Sequence, residues 1–167
     1  MSLASTITAR VVATQLSALD LATAAIPLDA YHRMTWSSGT GDDQADLVFH
    51  DRRTIAASSN EDLDLAGVLT DAIGNTLTFV QVKAVLVVAA TTNTNNVEVT
   101  RPAANGVPLF MAAEDGISLR PGAMLLWADP TDGGVTVTAG TGDLINVANS
   151  AAGSTVTYDV VIIGTSA

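Results

Sequence analysis

The only two histidines, His32 and His50, are the side chains best suited to acid–base or metal chemistry in this chain. Either role would require carboxylates beside the imidazole ring in space. Both histidines fall in strand-like stretches, where a partly exposed histidine without a catalytic role is the commoner outcome. No Gly-x-Ser-x-Gly nucleophile elbow accompanies them. We therefore predict no catalytic residue and no enzyme activity.

Two groups of carboxylates have the residue types that bind calcium, which prefers carboxylate and carbonyl oxygens. Neither group has the Asp-x-Asp-x-Asp-Gly order of a calcium loop, so we predict solvated loop carboxylates and no metal site. A further pair brackets a Pro-Thr turn, where aspartate commonly bonds to its own backbone. The residues are Asp42, Asp43 and Asp46; Glu61, Asp62 and Asp64; and the turn pair Asp129 and Asp132.

The tetrapeptide Gly-Thr-Gly-Asp occurs at residues 39–42 and 140–143, but neither copy has the spacing of a phosphate-binding loop, so no cofactor is predicted. Arg52 and Arg53 form a small basic spot. Pairing with Asp51 or Glu61 of the same chain is the favoured interpretation, and an acidic neighbouring subunit is the alternative.

The two tryptophans, Trp36 and Trp127, leave open a different class of function. An exposed tryptophan on a β-sandwich can form a platform for a sugar ring, although a tryptophan near a strand end more often packs on its own core. A carbohydrate-binding module is therefore kept as an alternative hypothesis.

The composition excludes several classes of partner. The chain has 167 residues, a formal net charge of −10 and no cysteine. An acidic chain is poorly suited to a polyanion, so we predict no nucleic-acid partner. No apolar run reaches the roughly 18 residues of a membrane span, and the N-terminus lacks the apolar core of a signal peptide. Only 14% of residues are charged, as expected either of a protein whose surface packs against copies or partners or of the compositional habit of a source with a high GC content.

The longest apolar stretch lies between Gly74 and Thr100 and is rich in β-branched residues. The unbroken apolar run 84–90 predicts a strand that is covered on both faces. A polar turn at 91–96 and the alternating segment 97–100 follow. We predict that the two segments pair as a central hairpin.

The remaining pattern predicts an all-β protein. From Leu77 onward, about seven short strands recur at roughly 10-residue spacing, as in antiparallel sandwiches and barrels. Pro121-Gly122 predicts a type II turn. Residues 31–167 are predicted to form the β-sandwich domain, and residues 1–30 an extended N-terminal arm or a first strand. Short helical segments are considered from Ser17 and across 68–73.

Residues 31–167 also resemble small virion structural proteins of tailed bacteriophages. The elements that carry the resemblance are Asp64-Leu65-Ala66-Gly67, Leu77-Thr78-Phe79 running into Lys83, Arg120-Pro121-Gly122, and Tyr158-Asp159-Val160 with Gly164. The resemblance implies a jelly-roll-like antiparallel β-sandwich and a capsid decoration (cement) protein that stabilises the assembled head. The implied partners are the major capsid protein and copies of the same chain, as a homo-oligomer (dimer or trimer). The implied location is the outer capsid surface, after synthesis in the host cytoplasm.

The same resemblance leaves a second structural role open, as a head-spike, fibre-base or tail component. It implies no catalytic, cofactor-binding or metal-binding residue. It therefore agrees with the absence of any sequence pattern that specifies a chemistry.

Overall fold

The computed structural model describes residues 2–130 and 133–167 and shows an all-β protein with 59% of its residues in strands. No helix occurs among the described residues. The strands, numbered along the chain, are β1 (Ser5–Ala18), β2 (Thr23–Ser38), β3 (Gln44–Ala45), β4 (Leu47–Ile55), β5 (Asn60–Asp64), β6 (Ala66–Thr70), β7 (Thr76–Thr78), β8 (Gln81–Ala89), β9 (Val97–Thr100), β10 (Gly116–Leu119), β11 (Met124–Ala128), β12 (Val135–Thr136), β13 (Leu144–Asn149) and β14 (Val156–Thr165).

Two antiparallel sheets contain most of the chain after residue 46. One has the strand order β11-β8-β14-β4, with β12 paired to the start of β8, and the other has the order β10-β9-β13-β5. Two smaller groups complete the fold. These are the β6–β7 pair and a sheet in which the β1–β2 hairpin is extended by the short parallel strand β3.

The inward-facing side chains of the two larger sheets form one hydrophobic core. Period-two alternation places Val85 and Val87 of β8 with Val160 of β14 on one side of this core, and Val99 and Val147 of the other sheet on the opposite side. All five are at most 1% exposed. Full burial of a side chain of this size stabilises the fold by roughly 1.5–3 kcal/mol. The alternation seen in the sequence is thus the pattern that builds the core.

The predicted central hairpin is wrong, because β8 and β9 lie in different sheets. The connecting segment crosses from one sheet to the other and is held by asparagine side chains. The amide of Asn93 donates to the carbonyl of Thr157 (2.9 Å), and its oxygen accepts from the Thr157 N–H (2.8 Å). Asn95 Nδ2 donates to Asn149 Oδ1 (2.9 Å). The polar turn therefore connects β8 to β9 and bonds to the ends of β13 and β14, rather than closing a hairpin.

The helical interpretations of two segments are also wrong. The segment from Ser17 belongs to β1, the following turn and β2, and residues 66–70 form β6 followed by a turn that ends at Gly74. Alanine-rich composition favoured a helix near Ser17, but cross-strand pairing determined the outcome. Pro27 is compatible with this strand because an edge strand needs no N–H on its outer side.

A turn prediction is confirmed, and a strand prediction is confirmed in part. The Pro121-Gly122 turn has Gly122 at φ +79°, and the N–H of Ala123 donates to the carbonyl of Arg120 (2.8 Å), as in a type II turn. The unbroken run in β8 was predicted to be covered on both faces, and this holds only in part: the core covers one face, whereas on the other face Ala84 is buried but Leu86 and Val88 are only partly buried.

Candidate functional site

The most prominent surface feature is the long hairpin formed by β1 and β2. Its register runs without a bulge from the pair Ser5–Trp36 to the pair Ala18–Thr23. The turn closes through a hydrogen bond from the Leu19 N–H to the Ala22 carbonyl (2.8 Å). β2 runs continuously through residues 30 and 31, between which we had placed the start of the compact domain.

The base of the hairpin is packed onto the rest of the protein. Trp36 is 2% exposed and forms a second hydrophobic cluster with Ala84 of β8 and Ile163 of β14. Ile7 and Met34, which face each other across the hairpin, pack against this cluster. These contacts lie on the face of the β11-β8-β14-β4 sheet that points away from the main core. They fix where the hairpin leaves the body.

Beyond this base the hairpin projects with both faces open. Residues 8–33 are all exposed except Ala24, which is half-buried. At about 3.4 Å per residue, the projecting part is roughly 35 Å long. The accessible surface of the chain is 9096 Å², whereas a compact 17.0 kDa monomer would expose about 7,700 Å². The excess reflects an element that does not fold back onto its own body.

The two faces of the hairpin differ in chemistry. Paired residues share a face, so odd positions of β1 and even positions of β2 form one face, and the remaining positions form the other. We call the first the apolar face; it has no aspartate, glutamate, lysine or arginine. We call the second the polar face. The apolar face comprises Ser5, Ile7, Ala9, Val11, Ala13, Gln15, Ser17, Ala24, Ile26, Leu28, Ala30, His32, Met34 and Trp36.

The polar face carries threonines and all the charged residues of the two strands. Arg10 donates from Nε and Nη2 to the two carboxylate oxygens of Asp29 (2.9 and 2.8 Å). This bidentate pair lowers the pKa of Asp29 from its ordinary value and raises that of Arg10. Arg33 is the remaining strand charge, and Asp20 lies in the turn.

The hairpin as a whole is electrically neutral. Residues 5–38 contain two arginines and two aspartates, so the net charge of −10 resides entirely in the other residues. A neutral ribbon can approach an acidic partner or an acidic copy of the same chain without the repulsion that the body would meet.

Such a hairpin is suited to binding another surface. A two-stranded ribbon is marginally stable in water by itself, and its long free edge and exposed apolar residues favour association. Large apolar side chains exposed by half or more on it are Val11, Val12, Leu16, Leu19, Leu21, Ile26, Leu28 and Tyr31. The arrangement supplies contact area and strand edges rather than a reacting group.

The structure keeps the two histidines apart. His32 lies on the apolar face of the hairpin, and His50 lies on β4 opposite Val161. Both are exposed. Among the described residues, no group of three or more histidine, aspartate or glutamate side chains could hold a metal ion.

Several predicted carboxylates make local structural bonds. Asp46 accepts from the N–H of Ser166 (2.8 Å), Asp62 accepts from the amide of Asn146 (2.7 Å), and Asp64 accepts from the N–H of Ala66 (2.9 Å). Asp43 lies in the loop after β2 at φ 54°. Asp42 lies in the same loop and is exposed. Of the turn pair, Asp129 donates its backbone N–H to the Lys83 carbonyl, and Asp132 lies outside the described residues.

The basic spot pairs within the chain, as expected. Arg52 forms an ion pair with Asp159 (2.6 Å). Arg53 donates from Nε to Glu61 (2.7 Å) and from Nη1 to Asp51 (2.9 Å). Because Arg53 belongs to β4 and Glu61 to β5, this ion pair joins the two larger sheets.

Tyr158 of β14 completes this link between the sheets. Its ring is fully buried, and its hydroxyl donates to Glu61 (3.0 Å). Burial and the neighbouring Glu61 charge raise the pKa of Tyr158 well above its ordinary value. We call Arg53, Glu61 and Tyr158 the inter-sheet clasp. Its groups are occupied with one another, so it is a structural element.

Neither tryptophan is among the strongly exposed residues. Trp36 is buried under the hairpin base, and Trp127 is half-buried against the main core. The indole N–H of Trp36 and the hydroxyl of its cross-strand neighbour Ser5 have no hydrogen-bond partner. A sugar platform requires an accessible ring, so the burial of Trp36 weighs against the carbohydrate hypothesis.

The apolar face of the hairpin was missed by sequence reasoning. Its signal is present as alternation in residues 5–13 and 24–36, but Ala, Ser and Thr at many of these positions blur the contrast between the faces. The register of β1 with β2 is what brings the alternating positions onto a common face.

No protein-family model, curated protein or solved structure matches this chain. The described residues contain no helix that is long and apolar enough to span a membrane.

Proposed function

We propose that this protein is a capsid decoration (cement) protein of a tailed bacteriophage, which binds the outer surface of the assembled head and stabilises the shell. Its partners in this role are the major capsid protein of the same particle and other copies of itself. The role requires no catalytic group, cofactor or metal. It requires a rigid body and a surface that reaches a neighbour.

The single observation that carries the proposal is the projecting hairpin. A ribbon roughly 35 Å long with exposed apolar residues on both faces has little to contribute to the isolated chain. Across a subunit boundary, the same ribbon would bury its apolar residues and could extend a partner's sheet through its free edge. Repetition over a symmetric shell would make individually weak contacts sufficient.

We further propose that the body is a jelly-roll β-sandwich. Its eight main strands are, in chain order, β4, β5, β8, β9, β10, β11, β13 and β14. They pair from the outside inward: β4 with β14, β5 with β13, β8 with β11, and β9 with β10. This nested pairing supports the double Greek-key arrangement of jelly rolls, which occurs in viral capsid domains and also in lectins. Fold alone does not fix function, so the hairpin remains the deciding feature.

The proposal can be tested with a shortened hairpin. In this variant, residues 10–31 are replaced by Asn-Gly, a pair favoured in two-residue turns, so that the pair Ala9–His32 flanks the new turn. The base residues Ile7, Met34 and Trp36 are retained. We expect the variant to fold but to lose binding to shells assembled from the major capsid protein, as measured by co-sedimentation.

A matched control shortens only the turn. Replacing residues 19–22 by Asn-Gly leaves both strands intact up to the pair Ala18–Thr23 and should preserve shell binding. Undiminished binding by the variant that lacks residues 10–31 would show that the hairpin is not the docking element and would remove the main support for the proposal.

A further inference from the structure

An apolar patch lies next to the hairpin base on the outer face of the β11-β8-β14-β4 sheet. Leu126, Leu86 and Val161 are directly opposite one another on β11, β8 and β14. Met124 lies beside them and is 63% exposed. We call these four residues the outer patch. They line an open cleft of about 350 Å³ together with Thr6, Ile7 and Thr8 of β1.

The neighbouring row of the same sheet shows what kind of surface covers this face. Ala128, Ala84 and Ile163 are opposite one another, one row further along the three strands. That row packs against Trp36, Met34 and Ile7, which belong to the apolar face of the hairpin. The base of the apolar face therefore covers one apolar row of the sheet, while the outer part of that face is exposed and the next row of the sheet is only partly buried.

We propose that the exposed apolar face of the hairpin binds the outer patch of a second copy of this chain. The inference deepens the homo-oligomeric part of the proposed function and rests on it, but it concerns contacts between copies and can be tested without shells. Each copy offers both surfaces, so the contact can close reciprocally between two copies or around a ring.

Charge favours a second copy of the chain as the occupant. The body carries the whole net charge of −10, so two bodies in direct contact repel each other. The apolar face has no formal charge, and Asp159, at the rim of the outer patch, is neutralised by Arg52 (2.6 Å). The hairpin–patch contact is thus one through which copies of this acidic chain can meet without opposing like charges.

The hairpin also has enough area for its side of the contact. A ribbon of the size of residues 8–33 presents on the order of 1,000 Å² on each face by surface-to-mass scaling. A stable protein–protein interface buries about 800 Å² on each partner. The apolar face of the hairpin is therefore large enough to form one side of a specific interface.

Adjacent valines provide a matched pair of variants for the hairpin. Val11 lies on the apolar face and Val12 on the polar face, and they are 60% and 63% exposed. Val11→Asp should weaken self-association of the full chain by at least about tenfold, because it buries an unpaired carboxylate in the contact. Val12→Asp should leave self-association unchanged. Light scattering and sedimentation velocity measure the self-association of each purified variant.

The outer patch has its own pair of variants. Met124→Asp should weaken self-association as Val11→Asp does, whereas Val68→Asp, at a residue of β6 that is 67% exposed and lies outside the patch, should not. Circular dichroism confirms that each variant is folded. Because all four positions are strongly exposed, loss of the fold is not the expected cause of any change.

Mixing the two defective variants tests the pairing of the surfaces. The Val11→Asp chain keeps an intact outer patch, and the Met124→Asp chain keeps an intact hairpin. An equimolar mixture should therefore form a heterodimer of twice the 17.0 kDa chain mass under conditions in which each variant alone is monomeric. Because this heterodimer has one intact contact and a reciprocal wild-type dimer has two, the mixture is examined at concentrations well above those at which the wild-type chain associates. A mixture that stays monomeric there would overturn the hairpin–patch contact.

The outcomes separate this inference from shell binding. A wild-type chain that is monomeric at all accessible concentrations overturns the contact between copies, even if the chain still binds shells. Equal effects of Val11→Asp and Val12→Asp also overturn it, because they would show that the two faces are not distinguished. Conversely, self-association through these surfaces in a protein that does not bind shells supports the inference and contradicts the proposed function.

Discussion

At the scale of single residues, the inter-sheet clasp shows how a polar group is accommodated at the edge of an apolar core. The Tyr158 ring fills the interior, and its hydroxyl needs an acceptor, which Glu61 provides at 3.0 Å. Arg53 holds the same carboxylate in place from β4 at 2.7 Å. The clasp therefore fixes the spacing of the two sheets at this edge in addition to satisfying the hydroxyl.

We predict that Tyr158→Phe lowers the free energy of unfolding at neutral pH by about 1 kcal/mol, the usual net value of a hydrogen bond to a group that keeps another partner. Tyr31→Phe is the matched control, since Tyr31 is 58% exposed on the hairpin and is the only other tyrosine. Urea unfolding of the three proteins measures the difference. A loss as large for Tyr31→Phe would contradict the role given to the clasp.

Tyr158 should also make the free energy of unfolding depend on pH in the alkaline range. The pKa of Tyr158 is raised in the folded protein above its ordinary value of 10.0. Below pH 10.0 the tyrosine is protonated in both the folded and the unfolded protein, so the free energy of unfolding keeps its full value. As pH rises above it, the unfolded state ionises first, so stability falls by up to about 1.4 kcal/mol per pH unit. Tyr158→Phe should reduce this slope, as measured by urea unfolding between neutral and alkaline pH.

At the scale of elements, the hairpin combines a fixed base with a free outer part. Contacts of Ile7, Met34 and Trp36 hold the base, and both faces are exposed beyond them. The outer part therefore contributes little to the stability of its own chain. Its exposed apolar residues have no packing role within the chain, and the proposed binding role would account for them.

Shortening the hairpin should leave the body intact. We predict that replacing residues 10–31 by Asn-Gly changes the free energy of unfolding by no more than about 0.5 kcal/mol, as for other changes outside the core. Trp36→Ala, which removes a buried ring at the base, should cost about 3–5 kcal/mol by comparison. Guanidinium unfolding monitored by circular dichroism measures both. A large loss in the shortened variant would show that the outer hairpin stabilises its own body.

Some elements of the fold could be predicted from the sequence, and others could not. The recurring strands predicted after Leu77 include β13 and β14, whose period-two patterns match their observed burial, because a half-buried strand imposes that alternation. The assignment of β8 and β9 to different sheets was missed, since a polar turn of six residues fits a hairpin and a crossing equally well. The asparagine contacts that decide between them are made with residues 149–157, far along the chain.

The hairpin itself was only partly predicted. Residues 3–13 were expected as a strand or an extended arm, but the following segment was considered helical from Ser17 because it is rich in alanine and leucine. Local propensity is weak there, and the pairing of Ala18 with Thr23 and of Ser5 with Trp36 overrides it. No chemical site was predicted.

At the scale of the whole molecule, charge and apolar surface are segregated. An acidic body carries a neutral ribbon that is roughly 35 Å long, and an apolar patch lies beside the base of that ribbon. Repulsion between bodies would keep chains apart except where ribbon and patch meet. This distribution suits a protein that is added to a repeating surface in many copies.

The decoration role is tested most directly by the copy number of this chain in purified phage particles, measured by quantitative mass spectrometry against the major capsid protein. We predict a simple integer ratio to the shell subunit, because a decoration protein occupies every equivalent site of the lattice. A copy number limited to a vertex, the tail or a few fibres would instead indicate a spike, fibre-base or tail component. Absence of the chain from purified particles would contradict every structural role proposed for it.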